Sequence, residues 1–177
     1  MGHRLGNGDA IACLVVAEDG RTASGRFTGP AEFMRFRAQR VPPIEYDKYV
    51  PGGVADGDQS ATTLTEGEFL GEPFDARRFA YGLRIPHCTM VVADKRDGVR
   101  PVWLYSLTDH SWACVMFRDG DTARFGQKGD RRLWDDAHAA YDWWADNDRP
   151  DHTRFGLTVT PEGQSVWLDK PAAGRHT

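Results

Sequence analysis

The chain has 177 residues, 40% of them hydrophobic and 27% charged, with a formal net charge of −4. That length admits one full domain or one domain plus a fragment of another, and the composition is that of a folded globular protein, not a disordered one. The negative balance argues against a general affinity for nucleic acid or acidic membranes, which need clustered positive charge, and no apolar run approaches the ~20 residues of a membrane span.

Residues 1–9 are polar and glycine-rich and read as a loose lead-in without the apolar core of a signal peptide, so a cytoplasmic location is expected. Ala10 to Ala17 is a near-continuous apolar run, the pattern of a strand buried on both faces. Glu18-Asp19-Gly20 signals a hairpin turn, and Arg21 to Thr28 returns as the second arm before Gly29-Pro30 breaks it. Phe33 to Phe36 alternates apolar and basic residues as a short strand does. Residues 37–59 carry Pro42-Pro43, Pro51-Gly52-Gly53 and Asp56-Gly57-Asp58 with few periodic apolar positions, so a linker or long loop and a domain boundary are placed there.

Beyond the boundary, Ser60 to Thr65 is a short polar strand, and Phe74 to Gly82 fits two helical turns. Thr89–Ala93, Pro101–Thr108, Trp112–Phe117 and Thr122–Phe125 are strands separated by Asp/Gly/Ser turns. Within 101–108, Val102 and Leu104 face one side, and Trp103, Tyr105 and Leu107 the other. From Leu133, apolar residues fall at Trp134, Ala137, Ala140, Tyr141, Trp144 and Ala145, the spacing of a helix with one buried face. Asp130 stands where an N-cap belongs, and Asn147 to Pro150 is a stop. Phe155–Thr160 and Ser165–Asp169 then read as strands around a Pro161–Gln164 turn. The order predicts an α+β fold: a short N-terminal hairpin (1–36), a linker (37–59), an α+β domain (60–170) and a frayed tail (171–177). In that domain the 131–146 helix lies across one mainly antiparallel sheet that includes 101–108, 112–118, 155–160 and 164–169.

Chemistry-bearing residues are sparse. Cys13, Cys88 and Cys114 are far apart, odd in number and inside predicted strands, which reads as buried reduced thiols. His87 and Cys88 are adjacent, so on a strand they face opposite ways, and no CxxC or HxxxH accompanies them; no metal site is expected. Asp109-His110-Ser111 holds triad residue types in one turn, and with His87 it is the alternative place for a small independent active site. The carboxylates Asp135, Asp136, Asp142, Asp146 and Asp148 give the helix a solvated anionic side. Trp143 lies more than ~100° from the centre of the buried stripe, and is either covered by a neighbouring loop or exposed for a partner.

Arg154-Phe-Gly-Leu-Thr-Val-Thr-Pro-Glu-Gly-Gln-Ser-Val-Trp-Leu-Asp169 resembles the C-terminal extension of actinobacterial protein-L-isoaspartate/aspartate O-methyltransferase homologues, those encoded beside ribosomally made peptides such as lanthipeptides, lasso peptides and graspetides. Gly6–Leu14 and Gly25–Met34 resemble the strands that close the methyltransferase domain of that family, so the likeness runs from about Gly6 to Asp169. It implies a non-catalytic accessory domain that holds an aspartate-bearing peptide for an S-adenosylmethionine-dependent methyltransferase domain present in cis or in trans. The chain departs from the family in lacking a glycine-rich turn after a first strand and an acidic ribose ligand beyond it, so no cofactor is expected here. The peptide surface expected from element order combines Trp143, Arg124 and Arg154, an aromatic and two guanidinium groups for carboxylates. The N-terminal hairpin is expected to belong to a sheet whose other strands lie outside the chain, with Ala10–Ala17 covered by loop 37–59, by a second copy in a homodimer or by the methyltransferase domain. A structural dimerisation domain is a further reading.

Overall fold

A computed structural model describes residues 3–5, 9–31, 43–72, 74–119 and 122–171. The N-terminal part supplies β1 (His3–Leu5), β2 (Asp9–Val16) and β3 (Ala23–Ala31), followed by a single helical turn, α1 (Tyr46–Tyr49), and β4 (Asp58–Thr62). Two short helices, α2 (Glu66–Leu70) and α3 (Ala76–Arg84), precede the meander β5 (Cys88–Val92), β6 (Val99–Ser106), β7 (Trp112–Arg118) and β8 (Ala123–Lys128). The long helix α4 (Leu133–Asp146) and the hairpin β9 (Phe155–Thr160) and β10 (Gly163–Leu168) complete the fold. The class is α+β, with antiparallel pairing throughout, as the segregated order of strands and helices predicts. Among the described residues no helix is long and apolar enough to cross a membrane.

The four strands expected to share one sheet are divided between two. The first has six strands in the order β1-β5-β6-β7-β8-β4, and the second four in the order β10-β9-β3-β2. Strands 101–108 and 112–118 lie in the first, and 155–160 and 164–169 in the second. The separation is made just after α4, where Asp148 and Arg149 take positive φ and Trp144 Nε1 donates to the Pro150 carbonyl at 3.0 Å. The chain is thereby turned away from the first sheet, and β9 runs beside β3, with Ala23–Arg26 paired to Gly156–Val159. The strands that complete the N-terminal hairpin's sheet are therefore the chain's own. The lead-in is also more ordered than its composition suggests, since His3–Leu5 pairs with Met90–Val92.

Helices α3 and α4 lie between the sheets. Leu133, Trp134, Ala137 and Ala140 of α4 pack with Phe69, Leu70 and Tyr81 against Val102, Leu104, Val115 and Phe117 of the first sheet. Phe69 stacks on Tyr81 at 5.1 Å between ring centres and meets Trp134 at 5.0 Å. Trp144, further along the same helix, joins Phe27, Phe79, Ala80 and Phe155 under the second sheet. The back of the first sheet carries Trp103, Tyr105, Trp112 and Cys114, as the alternation along β6 predicts, and residues 44–54 cover part of it through Val50, Tyr49 and Val54.

Helix α4 begins two residues later than expected. Arg132 is its N-cap and gives no side-chain cap bond; Asp130 lies outside the helix. The cap comes from another element. Buried Gln127 of β8 accepts from the Trp134 N–H at 3.0 Å and donates to Asp135 at 2.7 Å, so one of the helix's orphan donors is satisfied by tertiary contact. Helix α2 instead carries its own signal, a reciprocal capping box between Thr65 and Glu68. The expected strand at 33–36 lies outside the described residues, as does 172–177 of the expected tail.

Candidate functional site

Among the described residues, no strand pairs with the outer side of β2. Asp19 fixes the hairpin locally: its carboxylate accepts from the N–H groups of Arg21 at 2.8 Å and Thr22 at 2.9 Å, which hold its pKa below the ordinary value. Ala17 N–H then donates to the Thr22 carbonyl at 2.8 Å, closing the loop and setting the register. Gly25 belongs to that register for a steric reason, because a Cβ there would lie 1.8 Å from the Cys13 carbonyl oxygen.

On its other side β3 is clamped to β9. Ser24 and Thr158 share a hydroxyl hydrogen bond of 2.9 Å. The Arg26 guanidinium donates to the carbonyls of Thr153 at 3.0 Å, Arg154 at 3.2 Å and Asp169 at 2.6 Å, and lies 5.2 Å from the centre of the Trp167 ring. With β3 engaged on both sides, β2 is left at the edge, and among the described residues no strand pairs with its outer side.

The β2 run is thus not buried on both faces. Its exposure alternates along most of its length, with Ala10 and Ala12 packed toward Phe27 and Trp144, while Ile11 is 50%, Val15 74% and Val16 63% exposed. Cys13, expected to be buried, is exposed on the same face as Ile11 and Val15. The direction of the free backbone groups follows from the ladder. Bonded and non-bonded pairs alternate in an antiparallel ladder, and Ala17/Thr22 is a bonded pair in line with the Val16/Ala23 register. Val15 and Cys13 therefore point their N–H and C=O at β3, and Val16, Leu14 and Ala12 point theirs outward.

The three residues expected to form a peptide surface do not converge. Trp143 is half-buried: the Arg84 guanidinium covers it at 4.5 Å from the ring centre, and Phe155 packs beside it at 6.3 Å. It lies off the stripe that faces the first sheet because α4 has a second buried side, toward the second sheet. Arg154 grips Asp169 with Nε and Nη2 at 2.9 and 2.8 Å and donates from Nη1 to the Asn147 carbonyl at 2.8 Å, which ties the end of β10 to the end of α4. Arg124 is exposed on β8 between Ala123 and Phe125, both in the core under α4. Alternation puts it on the opposite face of the first sheet, away from the other two.

Asp109 and His110 do come together with Tyr49, Ser111, Lys128 and Asp130 around a cleft of about 330 Å³ at one end of the first sheet. The polar groups there are largely engaged with one another. Asp109 accepts from the Ser111 N–H at 2.7 Å, and its bonds to Ser111 hold its pKa low. Tyr49 donates to the Ser106 carbonyl at 2.8 Å and meets the His110 ring edge-on at 5.3 Å; burial, then the Asp109 charge, pushes its pKa up. Lys128 pairs with Asp56 at 2.6 Å. His87, at φ 55°, is not among the residues lining the cleft; its carbonyl accepts from Leu107 N–H at 2.7 Å and from Arg131 at 3.3 Å. Burial pushes the thiols of Cys88 and Cys114 up to about 12, so both are protonated at neutral pH and poor nucleophiles. Among the described residues no group of three or more His, Cys, Asp or Glu side chains is placed to hold a metal ion.

Comparison with protein-family models, curated proteins and solved structures finds no match to this chain.

Proposed function

We propose that the chain is a peptide-binding accessory module that holds its substrate for chemistry performed by a separate domain. The observation that carries this reading is the edge of β2: eight residues without a lysine or proline, with Ile11, Val15 and Val16 at least half exposed. Folded proteins commonly blunt such edges with charge, proline or a covering element, because they template pairing with another chain. An apolar edge with no strand paired to it among the described residues fits a binding surface, and strand pairing is a recurrent mode of peptide recognition. The resemblance to the extension of protein-L-isoaspartate/aspartate O-methyltransferase homologues supplies the context. The substrate is then an aspartate-bearing peptide, and the partner is an S-adenosylmethionine-dependent methyltransferase domain in cis or in trans, in the cytoplasm.

The enzymatic reading of the Asp109/His110 cleft has less support. The hydrogen bonds from Ser111 hold Asp109 ionised and a weak base, Lys128 is paired with Asp56, and His110 lies edge-on to the Tyr49 ring, an arrangement unlike a nucleophile, base and orienting group in series. Isothermal titration calorimetry of the full chain against a panel of synthetic aspartate-bearing peptides tests the proposal. Micromolar binding by members of the panel is expected. Transfer of a labelled methyl group from S-adenosylmethionine to a peptide by the chain alone would overturn it.

A further inference from the structure

We infer that residues 44–51 form a lid, hinged at Gly52–Gly53, that lifts off the back of the first sheet while both sheets stay folded. The inference stands apart from the peptide-binding reading. It begins with the backbone of the segment, whose hydrogen bonds close on the segment itself. Lys48 N–H donates to the Glu45 carbonyl at 3.0 Å, Val50 N–H to Tyr46 at 2.8 Å and Gly53 N–H to Val50 at 3.1 Å. These bonds survive when the lid moves as a body. Its tie to the sheet is a side-chain bond, from the Tyr49 hydroxyl to the Ser106 carbonyl at 2.8 Å. The ion pair between Lys48 and Glu45 is internal to the lid.

The apolar grip is shallow. Val50 is 3% exposed and packs with Tyr105, Trp112 and Cys114, whereas Tyr46 is 43% exposed and Asp47, Lys48 and Pro51 lie on the surface. Tyr46 and Tyr49 touch the sheet edge-on, 5.3 Å from Trp103 and 5.1 Å from Tyr105 between ring centres. Segments with few buried side chains and few bonds to their surroundings open locally, below the free energy of global unfolding. Beyond Gly53, at φ 76°, the chain is fixed instead. Gln59 donates to the Val54 carbonyl at 2.6 Å, Lys128 pairs with Asp56 at 2.6 Å, and a Cβ on Gly57 would lie 2.9 Å from the Gln127 carbonyl oxygen. A loosely held segment meets a fixed one at two successive glycines, where a few residues can absorb the backbone change of a hinge.

The lid controls the cleft at the end of this sheet. Lys48, Tyr49 and Pro51 line that cleft from the lid, and His110, Ser111 and Trp112 line it from the sheet. With the lid lifted, the cleft runs on from Trp112 over Tyr105 and Cys114, the surface that Val50 covers in the closed form. The segment is thus a gate on an aromatic floor.

The test is native-state labelling of the full chain with N-ethylmaleimide, read cysteine by cysteine by peptide mass spectrometry. Cys114 lies under the lid and Cys88 in the core on the opposite face of the first sheet, 0% and 5% exposed. Cys13 is exposed and reports the reaction with an open thiol. Cys114 should be labelled roughly tenfold or more faster than Cys88, and with a weaker dependence on urea below the unfolding transition. Tyr49→Phe, which removes the tie to Ser106, and Val50→Ala, which loosens the grip, should each speed Cys114 severalfold and leave Cys88 unchanged. The wild-type comparison stands even where a variant folds poorly. Labelling of Cys114 and Cys88 at one rate with one urea dependence would overturn the lid, since the segment would then open only with the whole fold. Acceleration of both cysteines alike in the two variants would overturn it as well, as would a Cys114 rate that neither variant changes.

Discussion

Trp144→Ala tests the claim that one helix serves two sheets. The side chain is 5% exposed and packs among Phe27, Phe79, Ala80 and Phe155. A buried tryptophan hides about 150–250 Å² of surface, which at about 25 cal/mol/Å² is roughly 4–6 kcal/mol. The substitution also leaves the Pro150 carbonyl without its indole donor and takes the ring from beneath Arg77, whose guanidinium lies 4.8 Å from its centre. Partial collapse of the site returns some of that loss, and core tryptophan-to-alanine changes cost about 3–5 kcal/mol in general. A destabilisation of about 4–5 kcal/mol is expected. With a urea slope of about 2 kcal/mol/M, the midpoint falls by about 2 M. Urea unfolding followed by far-UV circular dichroism measures it. Amide exchange adds the distinguishing observation, because protection in β3 and β9 should fall more than in β6 and β7. A loss below about 1 kcal/mol at unchanged slope would refute the bridging role of α4.

Two further outcomes bear on the fold. Gln127→Leu keeps the volume of a side chain that is 1% exposed but leaves the Trp134 N–H uncapped, and should cost about 1–3 kcal/mol in the same urea assay. A neutral result would mean that the helix start is satisfied elsewhere. His152 is buried against Phe79 at 5.3 Å, and desolvation lowers its pKa against the opposing pull of Asp151 and Asp75. Below its ordinary value of about 6.5 the unfolded chain takes up a proton that the folded chain resists, so this group's contribution is intact above that pH and is lost as pH falls toward the folded value. The urea midpoint should decline from pH 7.5 to 5.5, and His152→Phe should flatten the decline. An identical slope in the variant would show that His152 does not titrate in this range.

What the sequence determined by itself is what local chemistry specifies. The strands of the meander, the face assignment along β6, the body of α4 and its stop at Asn147–Pro150 follow from apolar spacing and turn residues within a few positions. The class follows from the order of those elements. The Thr65/Glu68 capping box, a Thr-x-x-Glu pattern before Phe69-Leu70, starts a helix where the sequence reading had only the end of a strand. What only the tertiary structure decided is every property that depends on residues far apart in the chain. Periodicity shows that Ala10–Val16 is a strand but not which neighbour it has. Its burial was misjudged because the helices pack on one face of the second sheet, so that Ile11, Cys13 and Val15 lie on the other, and because the pairing of Ala23–Arg26 with Gly156–Val159, across some 130 positions, leaves β2 at the edge. The cap of α4 came from Gln127 on a strand, which no N-terminal signature at Asp130 could show. A helical wheel counts one buried stripe, so Trp143 stood outside it until the second sheet supplied a second side. The arginines show the same limit: a sequence reveals a guanidinium, but Arg154 is engaged with Asp169 and Arg124 lies across the sheet because of where the chain folds back. Side-chain chemistry is local information, whereas convergence on one surface is set by long-range pairing.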